Sequence, residues 1–196
     1  MRAGVVRAGK DSEALYIRVM GDAWARVAEP VRCMHTPGAT VRAHGRLRVE
    51  HGRHPLARAL AWVLRLPRPG AAAETRLLVT HRADGDHWLR TFSGRHLETR
   101  QYHSSGSELA ERFGVLEFRF RLEPSEDGGI RYVQRSVGFL LGPVRVPIPA
   151  SCGPRVEARE APAGPRRVVV AVRVALPAVG PLITYDGCMT IEDTSA

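Results

Sequence analysis

Apolar and polar residues alternate along most of the chain after residue 40, in short runs that are separated by turn residues. In the first run, 41–49, the apolar positions alternate with Arg42, His44, Arg46 and Arg48. A period of two places successive side chains on opposite faces of a strand. Parallel pairing needs long crossovers, so runs joined by tight turns pair as antiparallel neighbours. The pattern therefore predicts a mainly antiparallel β protein.

Further runs of the same kind follow, and turns such as Asp127-Gly128-Gly129 separate them. They cover residues 75–82, 87–92, 96–102, 115–122, 130–137, 155–159, 168–176 and 183–191. We expect eight or nine strands in an antiparallel meander. Between them, we expect residues 107–112 to form a single helical turn and residues 142–149 to form an irregular crossing.

Two segments have helical spacing instead, 12–28, with Gly21 as a candidate break, and 55–66. The second carries an apolar stripe that includes Leu56 and Val63, with arginines around it, and such a helix could lie on an anionic membrane. A short helix normally buries its stripe against strands, which is the interpretation we favour. We expect both helices to cover a meander that curls into a barrel or cup, because curling removes exposed strand edges. A helix-grip cup fits less well, since that fold ends in a long amphipathic helix and this chain ends in a strand pattern.

The length of 196 residues, with 44% hydrophobic and 25% charged residues, is typical of one globular domain. We expect a single β-cup domain over 12–191, with flexible ends at 1–11 and 192–196. The three cysteines are widely spaced, which favours neither a disulfide framework nor a zinc site. Because no apolar run has the length of a signal peptide or a membrane span, we expect a cytoplasmic protein without a membrane span.

The net charge of +9 raises nucleic acid or an anionic surface as a partner. The residues of the 41–49 run that could form such a face are Arg42, His44, Arg46 and Arg48. Among the 29 basic residues only Lys10 is lysine, a bias that is typical of GC-rich coding sequence. Stacking platforms for nucleic acids need surface aromatic residues, and only 6% of this chain is aromatic. Nucleic acid is therefore disfavoured, and a solvated basic surface is favoured.

Arg90 is the polar residue whose position is most informative. It shares a strand face with Trp88 and Phe92, so an inward-facing aromatic pair turns Arg90 inward as well. A buried guanidinium needs a partner. That partner is either a structural carboxylate, Glu98 or Glu111, or the anionic group of a ligand.

Three residues are candidates for acid–base catalysis. Glu111 either caps backbone amides or faces an apolar cavity, where it could act as a general acid or base. Tyr185 either packs in the core or donates a hydrogen bond inside a pocket. The histidines lack the spacing of metal ligands. His35, before Pro37, is the one histidine that we keep as a candidate for acid–base catalysis. We expect no metal and no cofactor.

The remaining candidates for ligand contact are aromatic. Phe118 lies on the apolar face of the 115–122 run, and Tyr102 and Tyr132 stand in strands where a hydroxyl could reach a pocket. With Trp88, Arg90 and Phe92, the residues Phe118 and Tyr102 complete the predicted ligand site.

Several motifs also resemble a known family. They are His87-Trp88-x-Arg90-x-Phe92-x-Gly94, Glu111-Arg112-Phe113-Gly114, Pro147-x-Pro149, and Leu176-Pro177-x-x-Gly180 with Tyr185-x-Gly187. In order and spacing, across residues 14–190, they resemble the bacterial family catalogued as domain of unknown function 4166. The resemblance implies a stand-alone or fused domain, sometimes beside a reductase, without an established general activity. No GxGxxG motif follows a strand, so we expect no dinucleotide domain in this chain.

Two functions remain open. A cup of this size suits a small, largely apolar metabolite, with cofactor-free acid–base chemistry such as isomerisation, dehydration or cyclisation in bacterial secondary metabolism. The alternative is a non-catalytic binding or accessory module that serves a partner enzyme.

Overall fold

The computed structural model describes residues 15–35 and 40–192. In this part of the chain, eleven strands form one antiparallel sheet. They are β1 (Val41–His51), β2 (Gly70–Arg82), β3 (Gly85–Phe92), β4 (Arg95–His103), β5 (Glu108–Phe113), β6 (Leu116–Pro124), β7 (Ile130–Leu141), β8 (Val144–Ile148), β9 (Arg155–Gly164), β10 (Arg167–Leu176) and β11 (Gly180–Ile191). Apart from Glu192, the predicted flexible ends lie outside the described residues.

The sheet closes on itself. Strands β1 to β6 pair in sequence, β6 pairs with β7, and the ring continues through β9, β10 and β11 back to β1. Ten strands therefore form a closed barrel, and β8 is an extra strand that pairs with β7 alone. The predicted antiparallel β barrel is confirmed, and closure satisfies backbone groups that an open sheet would leave at its edges.

Strand β7 has two partners on the same side. Its first part, residues 130–133, pairs with β9, and its last part, residues 137–141, pairs with β8. The β7–β8 hairpin therefore extends the barrel wall past the point where β9 ends its pairing. This extension builds one side of the cavity mouth described below.

Short helices cover both ends of the barrel. Leu15–Met20 (α1), a 3-10 helix over Gly21–Arg26 and Glu29–Cys33 (α2) lie at one end, which we call the closed end. Pro55–Val63 (α3) packs on β11 and β1 at the opposite end, the α3 end. It begins where the His54 side chain accepts a hydrogen bond from the Leu56 N–H. None of the described helices combines the length and apolar character needed to cross a membrane.

The structure corrects three expectations about secondary structure. The predicted helix over 12–28 is two short helices, because Gly21 takes a positive φ of 55° that ends α1, and residues 12–14 lie outside the described part. The predicted helical turn at 107–112 is strand β5, since pairing with β4 and β6 outweighs weak local propensity. The predicted crossing at 142–149 contains β8, where Pro147 is tolerated on an edge strand.

Candidate functional site

The barrel encloses a cavity of about 520 Å³. Its walls are mostly aliphatic and aromatic side chains from almost every strand, including Leu77, Phe118, Val172 and Ile183. Period-two alternation along each strand turns these residues inward together. A cavity of this size and composition suits a small, largely apolar molecule.

A polar group around Arg90 interrupts the apolar wall of the cavity. The Arg90 Nη1 donates to Thr99 Oγ1 at 3.0 Å, and Nη2 lies 3.9 Å from Glu111 Oε1. The guanidinium lies over the Trp88 ring, 4.9 Å from its centroid. Arg90 thus faces the interior with Trp88, as strand alternation predicts, and Glu111 is its carboxylate neighbour, whereas Glu98 is exposed.

The environment sets the charges of this group. Burial acts against the charged form of Arg90, but the neighbouring Tyr185 and Glu111 outweigh it, so the pKa of Arg90 is raised. Burial also raises the pKa of Tyr185, against the opposing effect of Arg90. Near neutral pH the cavity therefore presents a cationic donor and a neutral phenol to whatever enters it.

A second polar group forms a chain at the closed end. The Tyr16 hydroxyl lies 2.7 Å from the side-chain amide oxygen of Gln101 and 2.9 Å from the Tyr132 hydroxyl. Tyr132 donates to Glu160 Oε1 at 3.0 Å, and Glu160 Oε2 lies 2.7 Å from His35 Nε2. All five side chains are buried. Helix α1 supplies Tyr16, and the turn after α2 supplies His35, so the helical segment completes a network that the strands begin.

Counting protons gives this chain a direction. Each phenol carries one proton, so with Tyr16 donating to Gln101 and Tyr132 donating to Glu160, none remains between the two phenol oxygens. A half-turn of the Gln101 amide supplies the missing proton, because its NH₂ group then donates to Tyr16 and Tyr16 donates to Tyr132. Every hydrogen bond then points toward Glu160.

Glu160 is the anionic end of the chain. Burial acts to raise its pKa, but the adjacent His35 and the Tyr132 hydrogen bond outweigh burial and lower the pKa of Glu160. Burial and the Glu160 charge raise the pKa of both Tyr16 and Tyr132 well above the ordinary value. Glu160 is therefore ionised at neutral pH, and both phenols keep their protons.

This arrangement predicts a pH-dependent stability. Since the pKa of Glu160 is lower in the folded protein, its contribution is complete above about pH 4.5 and is lost as the pH falls through the lowered value. Glu160→Gln should flatten the decline in unfolding free energy as the pH falls below about 4.5, measured by denaturant titration. Glu157→Gln, on the exposed outer face of the same strand, is the control and should keep the wild-type slope.

Most of the predicted ligand residues meet in the cavity. Trp88, Arg90, Glu111, Phe118 and Tyr185 line it. Their proposed roles in binding or catalysis stay predictions, but these five side chains face one common space. Glu111 does so from strand β5 rather than from a helical turn, because residues 109, 111 and 113 point inward.

Phe92 and His35 are buried, but neither side chain lines the cavity. Phe92 is buried against Tyr185, with ring centroids 5.3 Å apart. His35 is buried under Tyr16, with ring centroids 3.7 Å apart, and its Nδ1 has no hydrogen-bond partner in the described part of the chain. His35 therefore contacts Glu160 and does not line the cavity.

The structure places Tyr102 away from the predicted ligand site. Gln101 faces inward, so the next residue on the strand faces outward. The Tyr102 hydroxyl donates to Glu117, a buried carboxylate that also contacts Arg119 at 3.0 Å and Arg145 at 2.8 Å. These contacts stabilise the outer face of the barrel wall, and Tyr102 does not line the cavity.

Sequence reasoning missed Tyr16, Gln101 and Glu160. One signal was present for Glu160, which continues the inward series Val156 and Ala158 on β9, so a carboxylate stands on an apolar face. No local pattern distinguishes Tyr16 from the other apolar residues of its helix stripe. Its role depends on partners that are distant in the chain.

In residues 15–35 and 40–192, no three His, Cys, Asp or Glu side chains gather into a group that could hold a metal ion. Comparison with protein families matches residues 28–189 to the model described as Domain of unknown function (DUF4166). No curated protein and no solved structure matches the chain.

Proposed function

Since this chain belongs to the DUF4166 family, whose description assigns no activity, we propose a function from the cavity itself. The barrel binds a small, largely apolar molecule that carries a carbonyl or carboxylate at one end. The oxygen of that group lies against Arg90, and the apolar remainder fills the space toward the α3 end.

The observation that carries this proposal is the incomplete pairing of Arg90. A guanidinium has five N–H donors, and in the described part of the chain this one makes a hydrogen bond to Thr99 and a loose 3.9 Å contact with Glu111. Its other donors face a cavity with mostly apolar walls. An anionic or carbonyl oxygen there would receive charge-assisted hydrogen bonds from a preorganised donor.

The same group is suited to proton transfer. Glu111 could remove a proton from the carbon beside the carbonyl, and Arg90 and Tyr185 would stabilise the resulting enolate oxygen. Returning that proton to another carbon completes an isomerisation, with no cofactor consumed. In a dehydration, the enolate expels a β-hydroxyl group, which takes the proton from Glu111 and leaves as water. In a cyclisation, the enolate carbon bonds to a second carbonyl carbon of the same molecule, whose oxygen takes that proton.

A cavity-filling variant tests the binding proposal. Val172 lines the cavity and faces Tyr185 across the β10–β11 pair, whereas Val169 lies on the exposed outer face of β10. Val172→Trp should reduce the affinity for anilinonaphthalene sulfonate, an apolar dye with one anionic end, by about tenfold or more, measured by fluorescence titration. Val169→Trp adds the same side chain outside and should leave the affinity unchanged.

Equal dye affinity in the two variants would place the dye outside the barrel and contradict the proposal. Thermal melts of both variants show that each is folded, so a loss of binding by Val172→Trp reports on the filled cavity.

A further inference from the structure

The α3 helix exposes its large apolar side chains. A helix on a protein surface normally buries them and presents polar residues to water. Here Ala57 and Ala61 are the buried residues of α3, whereas Trp62 is 78% exposed and Val63 is 63% exposed. The stripe predicted to pack on the sheet is thus partly turned outward, which corrects the expectation for residues 55–66.

A second element at the same end of the barrel exposes apolar side chains. The β7–β8 hairpin turns at Gly142-Pro143, flanked by Leu141 and Val144, which are 66% and 59% exposed. Leu64, which follows α3, and Phe139 of β7 both line the cavity and are both exposed, so the two elements flank one mouth. Exposed apolar residues grouped in this way mark an interaction surface.

Positive charge lies beside Trp62 on this apolar rim. Between residues 51 and 73 there is no acidic residue, and the chain carries Arg53, Arg58, Arg65 and Arg68. A groove of about 770 Å³ beside Trp62 is lined by Arg53, Arg58, Arg68 and Arg95. Within the described residues none of these arginines has an ion-pair partner, and the one carboxylate of the groove, Glu50, pairs with Arg48.

We propose that the α3 end of the barrel docks on an anionic phospholipid bilayer. The side chains of Trp62, Val63, Leu141 and Val144 enter the interfacial region, and the arginines around the groove bind lipid phosphates. An exposed tryptophan among apolar and cationic residues suits the boundary between headgroups and acyl chains. The cavity mouth then faces the lipid.

Docking does not depend on the proposed ligand. If the barrel also binds an apolar molecule, the orientation lets that molecule pass between bilayer and cavity without crossing water, and this last step rests on the proposed function. Val172→Trp separates the two ideas, because it fills the cavity and leaves the docking surface intact.

Flotation with vesicles tests the docking. Wild-type protein should float with vesicles of equal parts phosphatidylglycerol and phosphatidylcholine, should stay behind with phosphatidylcholine alone, and should be released by high salt. Val172→Trp should float like the wild type. Lipids brominated on their acyl chains should quench tryptophan fluorescence, and Trp62→Phe should float but lose most of that quenching. Of the other two tryptophans, Trp88 is buried inside the barrel and Trp24 lies in the 3-10 helix at the closed end, away from the docked surface.

Two matched pairs locate the surface. Arg58→Gln/Arg68→Gln should weaken vesicle binding by about tenfold or more, whereas Arg42→Gln/Arg46→Gln on β1 removes the same charge and should bind as the wild type. Trp62→Ser/Val63→Ser should abolish flotation, and Val169→Ser, an exposed apolar residue elsewhere, should not.

Three results would overturn the proposal. Equal losses from both arginine pairs would mean that net charge alone attracts the protein to vesicles. A dimer in light scattering that Trp62→Ser/Val63→Ser dissociates would assign the surface to a second copy of the chain. Binding of duplex DNA at a salt concentration that releases vesicles would assign the arginines to nucleic acid.

Discussion

Replacing Glu160 with leucine should lower the free energy of unfolding by about 3–5 kcal/mol. The carboxylate is buried, and it accepts a hydrogen bond from Tyr132 and contacts His35 at 2.7 Å. Removing it deprives the Tyr132 hydroxyl of its acceptor and His35 Nε2 of its carboxylate partner, and buried polar groups that lose a partner bear the cost of desolvation. Denaturant titration at neutral pH measures the loss, provided that the slope of the transition stays constant.

A double variant shows whether the cost arises from the orphaned partner. His35→Leu/Glu160→Leu removes both ends of the contact, so it should be less destabilised than the sum of the single variants, with a coupling of about 1–3 kcal/mol. Glu157→Gln on the exposed outer face of β9 should change stability by less than about 0.5 kcal/mol. Wild-type stability in Glu160→Leu would show that the pair does not hold α2 on the barrel.

Replacing Arg90 with methionine should reduce the affinity for anilinonaphthalene sulfonate by about tenfold or more, while the unfolding free energy falls by less than about 3 kcal/mol. The structural contacts of Arg90 are few, a hydrogen bond to Thr99 and a 3.9 Å approach to Glu111. Methionine keeps the aliphatic packing on Trp88 and removes only the charged donors.

If Arg90→Met loses more than about 3 kcal/mol of unfolding free energy and keeps its dye affinity, Arg90 is the structural partner of Glu111 and does not anchor a ligand. If Arg90→Met does not fold, Arg90→Lys answers the same question, because it keeps the charge and loses the planar set of donors. Glu111→Gln is the companion variant. It should bind the anionic dye at least as well as the wild type, because a negative charge has left the cavity.

Much of the fold follows from the period-two pattern alone. Alternation along residues 41–49 and the later runs predicted the antiparallel barrel, and the same alternation turned Trp88, Arg90 and Phe118 to the inside. It could also have placed Glu160, because that carboxylate continues an inward apolar series. Strand β5 was missed, since a six-residue run with weak propensity takes its conformation from the strands on either side.

The face of each strand residue is a local property, and the sequence by itself determined it, because neighbouring side chains on a strand must point in opposite directions. Partners across the barrel are not local. His35 and Glu160 are 125 residues apart in the chain, and Tyr16 and Tyr132 are 116 residues apart. Only barrel closure brings them within hydrogen-bonding distance. The outward turn of α3 was likewise decided by the tertiary structure, because the space beside β11 and β1 admits the small side chains of Ala57 and Ala61 and leaves the larger Trp62 and Val63 in solvent.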